Sequence, residues 1–172
     1  MPLETMQDLL LHQLKDIYSA EQQLTKALPK LAEHADSEEL TQTFRDHLAE
    51  TKRQVERLDR IFTKLGARPG NVVCKGMKGL IEEGDELMEE EGSEAVVDAG
   101  LISAAQRVEH YEISAYGSAK AVAALLGHAD IVKLLDESQA EETAADKKLS
   151  LIATTDVNAR AAGTDPSMAA RV

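Results

Sequence analysis

Residues 14–31 read Leu14-Lys15-Asp16-Ile17-Tyr18-Ser19-Ala20-Glu21-Gln22-Gln23-Leu24-Thr25-Lys26-Ala27-Leu28-Pro29-Lys30-Leu31. With Leu10 in front, the positions Leu10, Leu14, Ile17, Glu21, Leu24, Leu28 and Leu31 step by three and four throughout. That spacing draws one stripe along an amphipathic helix. It also puts a carboxylate, Glu21, where the spacing asks for an apolar residue. The helix is expected over about residues 4–35, with Thr5 as its cap. Pro29 has no N–H to give, so a kink is expected near Thr25 to Leu28.

Three more long helices follow. Leu40, Phe44, Leu48, Thr51, Val55, Leu58, Phe62 and Leu65 share one side of a helix over about residues 38–65. Asp36 or Ser37 is its cap, and Gly66 with Pro69-Gly70 ends it. A third helix begins after Gly92-Ser93 and runs to about Leu126, before Gly127. A fourth spans about residues 130–155, with Ile131, Leu135, Ser138, Glu142, Ala145, Leu149 and Ile152 in line. The 27 residues from Gly66 to Gly92 hold six of the ten glycines and one short helical pattern. A link of that length can travel the full height of a helix pair. Two helical hairpins joined by one long crossover make an all-α, ferritin-like four-helix bundle with a short fifth helix. One domain over residues 1–157 is expected, with a disordered tail over residues 158–172.

Composition agrees with this class. Of 172 residues, 43% are hydrophobic but only 3% are aromatic, so the core is aliphatic. Frequent turns and β-branched runs, which a sandwich or barrel needs, are missing. A net charge of -12 repels phosphate backbones and argues against nucleic acid as a partner. The lone Cys74 excludes a disulfide framework and a thiolate zinc cluster. No stretch has the length of a membrane span, and the first residues lack the basic and apolar regions of a signal peptide. A soluble, cytoplasmic protein is the expectation.

The informative residues are acids inside apolar stripes. Glu21 stands between Ile17 and Leu24, Glu112 between Val108 and Ala115, and Glu142 between Ser138 and Ala145. Burying an ionised carboxylate costs several kcal/mol unless it is paired or binds a cation. Glu50 is the natural fourth acid, sharing a face with His47 and Gln54. Ala49-Glu50-Thr51 resembles Glu141-Glu142-Thr143 at an offset of 92, which also sets Gln54 against Asp146. Glu21 matches Glu112 at an offset of 91. The near-equal offsets suggest two copies of a hairpin about a pseudo-dyad. Four carboxylates would then meet at one midpoint, where two divalent cations would neutralise them. The alternative is that each acid lies at a stripe edge and pairs with Lys or Arg.

Further motifs carry a resemblance. Asp16 to Leu24 with Ala27-Leu28-Pro29-Lys30, His47-Leu48-Ala49-Glu50-Thr51, Cys74-Lys75-Gly76-Met77 with Gly79-Leu80, and Glu109-His110-Tyr111-Glu112-Ile113 with Ala115-Tyr116 resemble the YciE/YciF-type stress proteins. These form a branch of the ferritin-like, rubrerythrin-like bundles, and the likeness covers about residues 4–155. It implies a homodimer, a stress association and a di-iron-type site, without a settled enzymatic activity. One departure is plain. Ferritin-like di-iron sites use Glu-x-x-His on two helices, and here the corresponding positions are Arg53 and Ala145. A site poor in imidazole is hard, suited to Fe or Mn and also to Mg or Ca.

The candidate ligands are therefore Glu21, Glu50, Glu112 and Glu142, with Glu109, Asp146, His47 and Gln54 completing or tuning them. Glu112 ranks above Glu109, since it is the one that aligns with Glu21. His34 and His128 fall at helix ends, His12 is isolated, and His110 points away from Glu109. Tyr18, Tyr111 and Cys74 read as packing residues, and Gly76-x-x-Gly79 lacks the strand context of a phosphate loop. Val72, Val73, Met77, Leu80 and Ile81 give the crossover an apolar side that a second copy could cover. If redox-active, the protein would oxidise Fe(II) with peroxide or oxygen. The rival reading is a non-enzymatic structural or interaction protein that keeps the bundle and has lost the metal.

Overall fold

A reciprocal cap opens α1 (Met6–His34) in the computed structural model, which describes residues 3–164. The Thr5 hydroxyl accepts the Asp8 N–H at 3.1 Å, and the Asp8 carboxylate accepts the Thr5 N–H at 2.9 Å. Pro29 lies inside α1 without ending it, flanked by the buried Leu28 and Ala32. Ser37 caps α2 (Glu38–Lys64), accepting the Leu40 N–H. Gly66 then turns the chain at φ +62°, a conformation that suits glycine.

Cys74 precedes α3 (Lys75–Glu89), and its backbone and thiol are tied to α1 through Ser19, Gln23 and Asp16. Next come α4 (Glu94–Leu125) and α5 (Ala129–Ile152), joined by a tight turn with Gly127 at φ +78°. α1 packs on α2 and α4 on α5. The pairs also meet through α1 on α4 and α2 on α5, while α3 lies against α4 and α1.

The core is split in two by height. Leu24, Leu28, Leu40, Phe44, Leu101, Ala105, Leu149 and Ile152 belong to one apolar cluster. Leu10, Leu14, Leu58, Phe62, Ala119, Val122, Ile131 and Leu135 belong to the other. The start of α1 therefore meets the ends of α2 and α4 and the start of α5. The crossover carries the chain from one apolar half back to the other. Between the halves, every long helix places buried polar side chains: Glu21, then His47, Thr51 and Gln54, then Glu109 and Glu112, then Ser138 and Glu142.

The apolar side of the crossover is unevenly covered: Met77 is fully buried in the core, Leu80 and Ile81 are partly buried against it, and Val72 and Val73 are exposed. One expectation is corrected: residues 158–161, expected within a disordered tail, are helical. A π turn over Ala153–Val157 leads into α6 (Asn158–Ala161), with Val157 and Ala159 buried. With about 3.6 residues per turn, a step of five lands roughly 140° off the starting face. The wider π turn brings Val157 back onto the face of Ile152, a register that α-helical spacing hides. The remainder of that tail, residues 165–172, lies outside the described residues.

One buried acid has a purely structural task. The Asp98 carboxylate on α4 accepts the backbone N–H groups of Asp36 at 3.0 Å and Ser37 at 2.8 Å, joining the α1–α2 turn to α4. Asp98→Ala leaves both donors without that partner. It should lower unfolding stability by about 2–3 kcal/mol in urea titration, with Asp98→Asn recovering part of the loss.

Candidate metal centre

The polar layer gathers its acids closely. One oxygen each from Glu109, Glu112 and Glu142 and one ring nitrogen of His47 lie within 4.8 Å of one another, all four residues buried. The His47 Nε2 atom is 3.3 Å from Glu109 and 3.7 Å from Glu142. These are ion-pair distances, yet neither ring nitrogen has an aligned hydrogen-bond partner. Both oxygens of Glu112, and one each of Glu109 and Glu142, are likewise unpartnered. Glu21 joins from α1: its Oε1 accepts the Tyr116 hydroxyl while Oε2 has no partner. Native interiors satisfy nearly all buried polar atoms, so a knot of orphaned acceptors needs an explanation.

Electrostatics point the same way. Burial raises the pKa of Glu21 to about 8, against the Tyr116 hydrogen bond and the nearby imidazole. Burial also raises Glu142, to about 7, with His47 opposing. Glu109 is pushed well up by burial despite His47, and Glu112 by burial plus the charges of Glu21, Glu142 and Glu109. Burial works against a charged His47, but Glu109, Glu50, Glu142 and Glu21 outweigh it and lift its pKa to about 10.

The neighbours hold the acids in place. Gln54 donates to Glu142 and, at 3.1 Å, to Glu141. Arg57 grips Glu141 through two hydrogen bonds of 2.9 and 3.0 Å and reaches Ser138 at 2.7 Å. Tyr116 and the Arg57–Glu141 pair were not singled out from sequence. The signal for Tyr116 was present, since it lies four residues beyond Glu112 on the same stripe.

Two of the eight candidate side chains stand apart. Asp146 faces Gln106, which donates at 2.9 Å, and His110 at 3.4 Å. Glu50 is 35% exposed at the rim, 3.7 Å from His47 Nδ1. The reason is a register difference of one residue. The buried residues of the two hairpins pair at a uniform offset of 91: Leu10 with Leu101, Glu21 with Glu112, His47 with Ser138, Thr51 with Glu142, Gln54 with Ala145 and Leu58 with Leu149. The counterpart of Glu142 is thus Thr51, not Glu50. The Ala-Glu-Thr likeness at an offset of 92 is out of step with the packing. A slip of one residue turns a helical side chain by about 100°.

The chain is thus an all-helical protein in which a buried His/Glu group is capable of holding a metal ion. Residues 5–162 match a family described as a domain of unknown function, DUF892, and the chain belongs to that family. Protein YciF of Escherichia coli (strain K12) is 44% identical over 162 residues, spanning 94% of this chain and 98% of that protein. The crystal structure of the E. coli stress protein YciF matches with a TM-score of 0.88, covering 91% of this chain and 99% of that one. YcfI of Rhodopseudomonas palustris matches with a TM-score of 0.84 at 51% identity, covering 86% and 94%. No helix among the described residues is long and apolar enough to cross a membrane.

The raised pKa values carry a sign. Glu21, Glu142, Glu109, Glu112 and His47 all hold protons more tightly when folded than when unfolded. Their stabilising contribution is complete below the unfolded carboxylate value. It is lost as pH climbs through about 7 and 8 for Glu142 and Glu21 and about 10 for His47. The thermal midpoint of chelator-treated protein should therefore fall as pH is raised from about 5 to about 9. Glu112→Gln should flatten that fall.

Proposed function

We propose that this protein is a stress-associated metal-binding protein built as a ferritin-like four-helix bundle, with a dinuclear carboxylate site for iron or manganese. The observation that carries the reading is the close grouping of His47, Glu109, Glu112 and Glu142, with Glu21 beside them, in which each of the five has at least one buried polar atom without a hydrogen-bond partner. A divalent cation supplies the positive charge this set needs. The donor chemistry fits: carboxylates and one imidazole suit Fe(II) and Mn(II), while Mg(II) and Ca(II) usually take all-oxygen shells.

In this reading Glu109, Glu112, Glu142 and His47 hold the metal, and Glu21 completes the set from α1. Gln54 fixes the angle of Glu142 and is itself steadied beside the Arg57–Glu141 pair. Tyr116 orients Glu21. Asp146 and Glu50 stand outside the group of direct ligands. Bound iron would bring one-electron chemistry toward peroxide or oxygen. The apolar clusters above and below exclude water, which strengthens the pull of each carboxylate on a cation. The stress association comes from YciF, described as a stress protein. A cytoplasmic homodimer belongs to the same proposal, and the exposed pair Val72 and Val73 is what supports a second copy.

A second reading has one observation in its favour. In the register that pairs Thr51 with Glu142, Gln54 and Ala145 occupy the positions where di-iron bundles carry histidines, and YcfI of R. palustris is described provisionally as a structural protein. Here the fold would persist as a scaffold without metal.

Elemental analysis of untagged protein after anaerobic Fe(II) or Mn(II) loading separates the two. The metal reading expects about two ions per chain, and little metal in Glu112→Ala/Glu142→Ala. Metal near zero in the loaded wild type would leave the scaffold reading. Glu112→Leu, which replaces the acid that no donor reaches with an apolar side chain of similar volume, should be more stable without metal than the chelated parent by about 1–4 kcal/mol.

A further inference from the structure

The buried acids have one wall that approaches solvent. A cleft of about 360 Å³ runs between α2 and α5, with His47 at its inner side. Its walls are small, formed by Ala49, Ala144 and Ala145. Ala145 occupies the place where a Glu-x-x-His motif would put an imidazole, so the missing histidine contributes to the opening. α2 and α5 also pack together less extensively than the helices within either hairpin. A second cleft, of about 300 Å³ between α1 and α4, is lined by Asp16, Tyr111 and Ser118, with no member of the acid cluster on its wall.

The rim of the first cleft carries two acids in labile pairs. Asp46 on α2 meets Lys148 on α5 at 3.3 Å, both exposed, so this ion pair spans the mouth. Glu50 lies 3.7 Å from Arg53 on one side and 3.7 Å from His47 Nδ1 on the other. One half-exposed carboxylate thus touches both the solvent side and the outermost member of the buried set. Exposed ion pairs are weak, so an arriving cation would displace Lys148 and Arg53 at small cost.

We propose that this cleft is the route by which hydrated divalent cations reach the buried acids. Glu50 serves as the transfer ligand at the mouth and His47 as the receiving group within. The proposal rests on the metal reading above and deepens it: Glu50 governs the rate of loading and is not a resident ligand.

The test follows Mn(II) uptake by the full chain, reading loss of the free Mn(II) paramagnetic signal over time and the stoichiometry at equilibrium. Ala144→Phe, which fills the mouth from an exposed helix position, should slow uptake by about tenfold or more. Glu50→Gln should slow it by about three- to tenfold, through loss of the steering charge. Stoichiometry should stay at the wild-type value in both. Ser118→Phe, which fills the other cleft, should leave the rate unchanged. Normal rates in Ala144→Phe and Glu50→Gln, with full loading, would overturn the route and leave the metal site standing. Slowing in Ser118→Phe alone would move the route to the α1–α4 side and overturn it equally. Loss of stoichiometry in Glu50→Gln would make Glu50 a resident ligand, against the proposal. A wild type that takes up no Mn(II) would remove the metal reading and the route with it.

Discussion

The structure is organised around the cost of placing carboxylates in the middle of an aliphatic core. Taking one such group out of water is opposed by several kcal/mol, and like charges nearby add to the opposition. Glu21, Glu109, Glu112 and Glu142 all face that cost at the same height in the molecule. The apolar clusters on either side cannot relieve it, because Leu, Ile and Phe offer no donors. Among the described residues, relief comes from His47, from the Tyr116 hydroxyl to Glu21, and from Gln54 to Glu142. Glu112 receives none of these.

This constraint explains the shape of the surrounding support. Each acid needs a fixed direction, so the residues behind it form hydrogen-bonded rows. Ser138, Glu141, Arg57 and Gln54 make one such row between α2 and α5. Apart from the acids, Asp146, Gln106 and Ser150 make a second hydrogen-bonded row between α4 and α5. At the end of the helices, Asp98 performs a different job with the same residue type, because two backbone N–H groups meet its oxygens. Both oxygens of Asp98 meet donors, whereas neither oxygen of Glu112 does.

The two hairpins are alike in spacing but not in chemistry. The common offset of 91 sets Glu21 against Glu112, yet it also sets Thr51 against Glu142 and Ser138 against His47. The polar layer is therefore lopsided, with two acids from α4, one each from α1 and α5, and the imidazole from α2. The same asymmetry leaves small residues between α2 and α5, where the cleft reaches His47.

The helices, their caps and their turns were legible in the amino-acid sequence, since each depends on residues a few positions apart. Thr5 with Asp8, Ser37, Gly66 and Gly127 act locally, and the three-and-four stripes of leucines are a property of single helices. The misplaced phase of Glu21, Glu112 and Glu142 was legible for the same reason. What tertiary structure alone decided is how far each helix is rotated and slid against its neighbours. That choice buried His47, turned Glu50 outward by one register step, and sent Asp146 to Gln106. It also kept the chain helical beyond Ile152 through a π turn that no α-helical period foretells. Rotation and height come from packing between distant segments, and a stripe on one helix carries no record of the stripe it will meet.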